Sequence, residues 1–187
     1  MIQTVSKSLS LEEFLQLPET EPASEFIDNA IIQKSMPKGS HSIIQGELII
    51  AINAVVKPQK MARAFPELRC TFADRVIVPD VSVFKWNRIP RYPNGRIADE
   101  FALAPDWIIE ILSSDQSQTK VIKKILHSLD YGTEMGWLID PAEQTIFIYT
   151  PDQRSQSVDK PHELIPVPSF AVGLNLTIKD LCDWLID

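Results

Sequence analysis

Two carboxylates stand among residues that ordinarily exclude charge. In PDWIIEILSS (105–114), Glu110 is flanked by Trp107, Ile108 and Ile109 on one side and by Ile111 and Leu112 on the other. A run this short and apolar, bounded by Pro105 and two serines, predicts a strand buried on both faces. In VIVPDVSVF (76–84), Asp80 has the same kind of neighbours and follows a proline. An ionised carboxylate in such a place costs several kcal/mol unless it is paired or bound to a metal. If the two strands are neighbours, Asp80 and Glu110 stand side by side, and one of two adjacent like charges must take up a proton. A divalent cation removes that penalty. Oxygen donors at one end of a sheet suit Mg²⁺, with Mn²⁺ able to substitute.

A metal held there can activate water and stabilise charge on a phosphate, and a nearby lysine can neutralise phosphoryl oxygens and position the water. The segment after the Glu110 strand, SQTKVIKKILHSLDY (117–131), offers Lys120, Lys123 and Lys124. Val121, Ile122, Ile125, Leu126 and Leu129 predict an amphipathic helix, with Lys123 and Lys124 flanking its apolar stripe on opposite sides. Periodicity does not choose between them.

The remaining elements must position these groups. Ser10 and Glu13 have capping-box spacing and open a short helix over 11–17, closed by Pro18. EFIDNAIIQKSM (25–36) predicts a small hairpin turning at Asp28-Asn29. HSIIQGELIIAINAVV (41–56) has helical spacing and stops before Pro58. ARAFPELRCTFA (62–73) and RVIVPDVSVFKW (75–86) predict one strand each. GWLIDP and QTIFIYT predict two more, followed by a polar stretch (PDQRSQSVDK) and a last helix over 178–185. This order predicts an α/β (α+β mixed) fold, one domain over 1–187, with a single mixed sheet flanked by helices.

The net charge of −7 argues against coating of nucleic acid by bulk charge, though not against a local basic groove. One loop fits that role. KWNRIPRYPNGR (85–96) carries Lys85, Arg88, Arg91 and Arg96 with Trp86 and Tyr92 interleaved and no acid, and it begins just after the Asp80 strand, where it would overhang the metal site. Cys70 and Cys182 form no metal-type pair and fit a reducing compartment. The N-terminus lacks a secretory apolar stretch, and no segment approaches roughly 18 uninterrupted apolar residues. A soluble, cytoplasmic protein is expected.

PD in VPDVSVF, E-I-L in WIIEILSS and the lysine helix together resemble the PD-(D/E)XK nuclease superfamily. The fuller pattern is similar to a large bacterial, cyanobacteria-rich family of "putative restriction endonucleases" within it. EFIDNAI matches that family's hairpin, His41 a histidine opening its next helix, and IVPDVSVF, EILS, Lys120–Lys124 and GWLIDP follow in the family's order. The match runs over about residues 8–150. It implies a restriction-endonuclease-like sheet and a Mg²⁺-dependent endonuclease cutting DNA, double-stranded by analogy, as a homodimer. Asp80, Glu110 and the backbone carbonyl of Ile111 would hold the metal, with Glu25 joining more weakly and Glu47 its competitor. The superfamily lysine two residues after the acid is replaced by Leu112, and the family's displaced lysine falls on Lys124, with Lys123 its nearest rival. Asn29, Ser114 and Ser128 depart from the family's glycine, proline and tyrosine.

A second class of function also fits. The acidic charge and Leu112 suit a nuclease fold that has lost cutting and serves as a nucleic-acid or protein binding module. A hydrolase of small phosphoesters has only the acids in its favour. Ser113-Ser114 lies in no nucleophile elbow. His41 is expected to cap or pack at its helix start, and His127 and His162 have no metal spacing.

Overall fold

The computed structural model describes residues 9–114, 116–152 and 155–186. Helix α1 (Leu11–Leu15) is shorter than expected; its Ser10–Glu13 capping box is formed. Strands β1 (Ser24–Ile27) and β2 (Ala30–Gln33) make the expected hairpin, with Asp28 and Asn29 both at positive φ (52° and 60°). That pair of left-handed residues is the tight turn whose twist suits a two-residue hairpin. Helix α2 spans Gly39–Val56.

The two long strands expected next are each broken in two. β3 (Ala62–Pro66), β4 (Cys70–Phe72), β5 (Arg75–Ile77) and β6 (Val81–Lys85) replace them. The boundary expected between the two long strands is a second tight turn from β4 to β5, at Ala73 and Asp74 with φ of 49° and 57°. Strand β7 (Trp107–Ile111), helix α3 (Gln118–Asp130), strands β8 (Met135–Asp140), β9 (Thr145–Tyr149) and β10 (Ser155–Val158), and helix α4 (Ile178–Asp183) complete the chain. β10 falls within the stretch expected to be merely polar.

Instead of one sheet there are two. A six-stranded sheet has the order β10-β9-β8-β7-β6-β3, and a four-stranded sheet the order β2-β1-β5-β4. In the large sheet only β7 and β8 run parallel, and α3 makes the crossover between them, as a parallel pair requires. Alternation along β7 sends Trp107, Ile109 and Ile111 into a core with Ile44, Leu48 and Ile52 of α2. Ile108 goes the other way, into a core with Val121, Ile125 and Leu129 of α3 and Ile77 of β5. Glu110 therefore faces α3 and the small sheet. A close approach of layers is required here: a Cβ on Gly136 of β8 would stand 2.3 Å from Ile125 Cγ2.

By length and composition alone, α2 is long and apolar enough to cross a membrane, although Ser40, His41, Gln45, Glu47 and Asn53 interrupt its apolar residues. Its stripe of Ile44, Leu48, Ile52 and Val56 is nevertheless buried in the large core, the behaviour of a core helix. The small sheet carries α1 through Phe14, stacked on Phe26 at 5.2 Å between ring centroids.

Candidate metal and nuclease site

Asp80 immediately precedes β6, and the antiparallel register Val81↔Ile109, continued by one residue, places it opposite Glu110 near the end of β7. The two acids do lie on neighbouring strands. Asp80 is completely buried. Its Oδ2 accepts from the backbone N–H of Ile111 at 2.7 Å and lies 3.1 Å from His41 Nε2. Oδ1 accepts from Lys34 Nζ at 2.8 Å. Burial alone would raise the pKa of this carboxyl, but the His41 hydrogen bond and the Lys34 charge overcome it and hold the group well below the usual carboxylate range. Gln45, one turn after His41 on α2, fixes the backbone of the same residue by donating to Asp80 O at 2.8 Å.

Glu110 is also buried. Lys124 Nζ lies 2.9 Å from its Oε1, but no donor is aligned to make a formed hydrogen bond with that oxygen. Lys124 donates instead to Glu25 Oε1 at 2.9 Å, and the Val78 N–H donates to the same oxygen at 2.8 Å. Burial opposes charge on Lys124, but Glu110, Glu25 and Asp80 together hold its pKa above the ordinary lysine range. Lys34 is likewise raised: burial opposes its charge, and Asp80 followed by Glu110 outweighs the burial.

Counting these charges shows which acid is in excess. Lys34 and Lys124 are two cations among three carboxylates, with Lys34 on Asp80 and Lys124 hydrogen-bonded to Glu25. Glu110 is the remaining acid. Its burial pushes the pKa up to about 8; Lys124 opposes the rise and Asp80 adds to it. The opening problem of a charge inside a strand thus has a physical answer: Glu110 sits where a proton or a further cation is favoured.

Burial separates the two candidate lysines. Lys124 lies on the inner face of α3 with Val121, Ile125 and Ser128, whereas Lys123 is exposed. Ser128, one turn on, is buried on the same face and donates its hydroxyl to Lys124 O at 3.0 Å. Glu25 belongs to the cluster, and Glu47 on α2 lies outside its hydrogen bonds. His41 is more than a cap, since its imidazole reaches Asp80. The residue the sequence reading missed is Lys34. A signal existed: Glu25 pairs with Ile32, so Lys34, two residues on, shares its face of the hairpin.

The basic loop is placed differently from the expectation. It leaves β6 at Lys85, the end remote from Asp80, so it does not start over the site. Lys85 pairs with Glu134 at 2.8 Å, and Arg88 with Asp106 at 2.6 Å. Arg91 lies over the Trp86 ring at 5.3 Å and, like Arg96, stands near the surface. Beside the cluster, bordered by Glu25 and not by Glu110, is a groove between β1-β2 and the start of α3. A cavity of 270 Å³ there is lined by Glu25, Lys34, Gln33, Ser117, Lys120 and Lys124, among others. A narrower depression on the other side of Lys34 reaches His41, Asp80, Glu67 and Ser113, and the two share Lys34, Ser35 and Gln116.

A family model described as "Putative restriction endonuclease" (Uma2) matches residues 11–179. The chain belongs to this family. Among solved structures it is similar to a "putative nuclease belonging to DUF820" from Anabaena variabilis, with 65% identity over 94% of this chain and 98% of that one and a TM-score of 0.93. No curated protein matches it. The restriction-endonuclease-like fold is therefore established, and the match covers every residue of the acidic cluster, Glu25, Asp80, Glu110 and Lys124 among them.

The donor chemistry fits a hard divalent cation. Asp80 and Glu110 offer carboxylate oxygens. Ile111, whose N–H faces Asp80, directs its carbonyl to the same side, because both groups of a strand residue point one way and β6 begins too late to pair with it. Glu110 Oε1 lacks an aligned donor. Among the described residues no group of three His, Cys, Asp or Glu side chains is ready by itself to hold a metal.

Proposed function

We propose that this protein is a Mg²⁺-dependent endonuclease that hydrolyses phosphodiester bonds of double-stranded DNA, with Mn²⁺ an effective substitute. The observation that carries the reading is the excess buried carboxylate, Glu110, with the Lys124 ammonium 2.9 Å away and that lysine lining a groove with Lys34 and Lys120. Asp80, Glu110 and the Ile111 carbonyl would hold the ion. When bound, it supplies Lewis-acid stabilisation of phosphoryl oxygens and an acidified water.

The chain's own groups do the rest. Lys124, fixed by Glu25, presents a cation that orients the attacking water and neutralises charge on the phosphoryl group. Glu25 serves the centre through Lys124, its Oε1 being already committed to that ammonium and to Val78. His41 and the Ile111 N–H fix the rotation of the Asp80 carboxylate so that Oδ1 faces the groove. Arg91 and Arg96 contact phosphates away from the centre, with Lys85 and Arg88 held mainly by Glu134 and Asp106. Cutting both strands requires two such centres, hence a two-fold homodimer acting on cytoplasmic DNA.

Plasmid DNA incubated with wild type and Mg²⁺ or Mn²⁺ should be nicked and linearised. Asp80→Ala and Lys124→Ala should abolish this while circular dichroism shows the fold retained. Cleavage that survives in Asp80→Ala removes Asp80 from the centre. A second reading has one observation behind it: both oxygens of Asp80 are already satisfied inside the protein. On that reading the cluster is structural and the protein a binding module. DNA binding with no cleavage of plasmid, single-stranded DNA or RNA in either metal would decide for it.

A further inference from the structure

Lys34 is the one cation of the cluster that neither the motif nor the family comparison assigns, and its contacts define a task. Asp80 Oδ2 is taken by two fixed donors, the Ile111 N–H at 2.7 Å and His41 Nε2 at 3.1 Å. Oδ1 is met by Lys34 Nζ, which also donates to Val78 O at 2.9 Å. A metal on Asp80 must therefore use Oδ1, the oxygen that Lys34 holds. An ammonium and a divalent cation on one oxygen would lie within a few ångströms in a buried place, where like charges repel strongly. The ammonium has somewhere to go. Lys34 lines both halves of the groove, and Glu67, half-exposed at the rim, has its Oε1 3.6 Å from Nζ. Lys124 has no such freedom, because Glu25 and Glu110 grip it from two sides.

We infer that Lys34 is a displaceable internal cation that keeps the metal's place on Asp80, so that metal loading and withdrawal of Lys34 into the groove are one event. The inference rests on the metal-site reading above and goes beyond it. It makes Lys34 a residue that lowers metal affinity in the free protein. The withdrawn ammonium enters the groove that substrate phosphates follow, where an anion compensates the pairing it gave up. Metal binding is thereby tied to the arrival of substrate.

Two measurements test this without reference to cleavage. Calorimetric titration of Mn²⁺ into Lys34→Met should show binding about tenfold tighter than in wild type, the order expected when a charge-assisted hydrogen bond no longer has to be broken. Asp80→Asn should abolish binding in both backgrounds. Equal or weaker binding in a folded Lys34→Met, alongside Asp80-dependent binding in wild type, overturns the role of Lys34 and leaves the metal site standing. Absence of Mn²⁺ binding in every protein, with or without DNA, overturns both. The second measurement needs no variant. Amine acetylation of wild type, read by mass spectrometry, should accelerate several-fold at Lys34 when Mn²⁺ is added and stay unchanged at Lys124. Labelling of Lys34 that is unchanged or slower with Mn²⁺ bound refutes the displacement.

Discussion

Replacing Glu110 by glutamine keeps the shape of the side chain and removes the carboxylate that shares the Lys124 ammonium with Glu25. The consequence is legible in pH. An acid whose pKa is higher in the folded than in the unfolded chain takes up a proton on folding between the two values, so the unfolding free energy falls as pH rises across that window. For Glu110 the window runs from the ordinary 4.5 to about 8. Each pH unit inside it costs wild type about 1.4 kcal/mol that the glutamine variant does not lose. Between pH 5 and pH 7 the stability of Glu110→Gln relative to wild type should therefore rise by about 3 kcal/mol. The absolute offset between the two proteins also contains the lost attraction to Lys124, and only the slope isolates the titration. Urea unfolding in EDTA at half-unit steps from pH 5 to 8.5 measures it. Saturating Mg²⁺ should flatten the wild-type slope, because the ion replaces the proton. Parallel profiles for the two proteins in EDTA would mean that Glu110 stays ionised throughout, and the charge count of the cluster would be wrong.

Lys124→Met leaves Glu25 and Glu110 buried without their cation and should cost about 3 kcal/mol or more in urea unfolding, whereas exposed Lys123→Met should stay within about 0.5 kcal/mol of wild type. Gly136→Ala forces a methyl group against Ile125 at 2.3 Å and Ile108 at 3.3 Å; thermal unfolding should show a loss of about 1–3 kcal/mol, and cleavage should fall with it because Ile125 adjoins Lys124. Asn29→Gly relieves a left-handed residue with φ of 60° and should leave the hairpin unchanged or stabilise it by up to about 1 kcal/mol, read from the same scans.

The acids were readable in the sequence because their neighbours are not polar: a carboxylate among isoleucines needs a reason. The helix lysine was not resolved by periodicity, since Lys123 and Lys124 flank the stripe equally. The layer packed on α3 decides, and that layer includes Glu25, 99 residues away in the chain. Lys34 hid in a polar stretch because its importance comes from which face of a hairpin it shares, a matter of register with β1. The second sheet went unseen for a local reason. The expected strands 62–73 and 75–86 each pass from one sheet to the other, between β3 and β4 where Glu67 has φ of 40° and between β5 and β6 at Val78-Pro79, with no glycine or asparagine to announce a break, so two strands in different sheets read as one. β10, SQSV on a sheet edge with its first three residues exposed, has none of the alternation that marks a half-buried strand. The basic loop looked close to Asp80 along the chain, but a strand of five residues separates them and carries the loop to the far end of the sheet.

The hydrogen bond from Lys124 to Glu25 also sets the order in which the centre can come into being. Its two ends belong to helix α3 and to the small sheet and stand 99 residues apart, so closing it costs the entropy of a long loop and depends on the small sheet having docked on α3. A chain growing from its N-terminus holds Glu25, Lys34 and His41 well before it holds Lys124, and no fragment ending ahead of α3 contains a complete cluster. On the proposed reading, an emerging polypeptide would cut no nucleic acid until its fold closes.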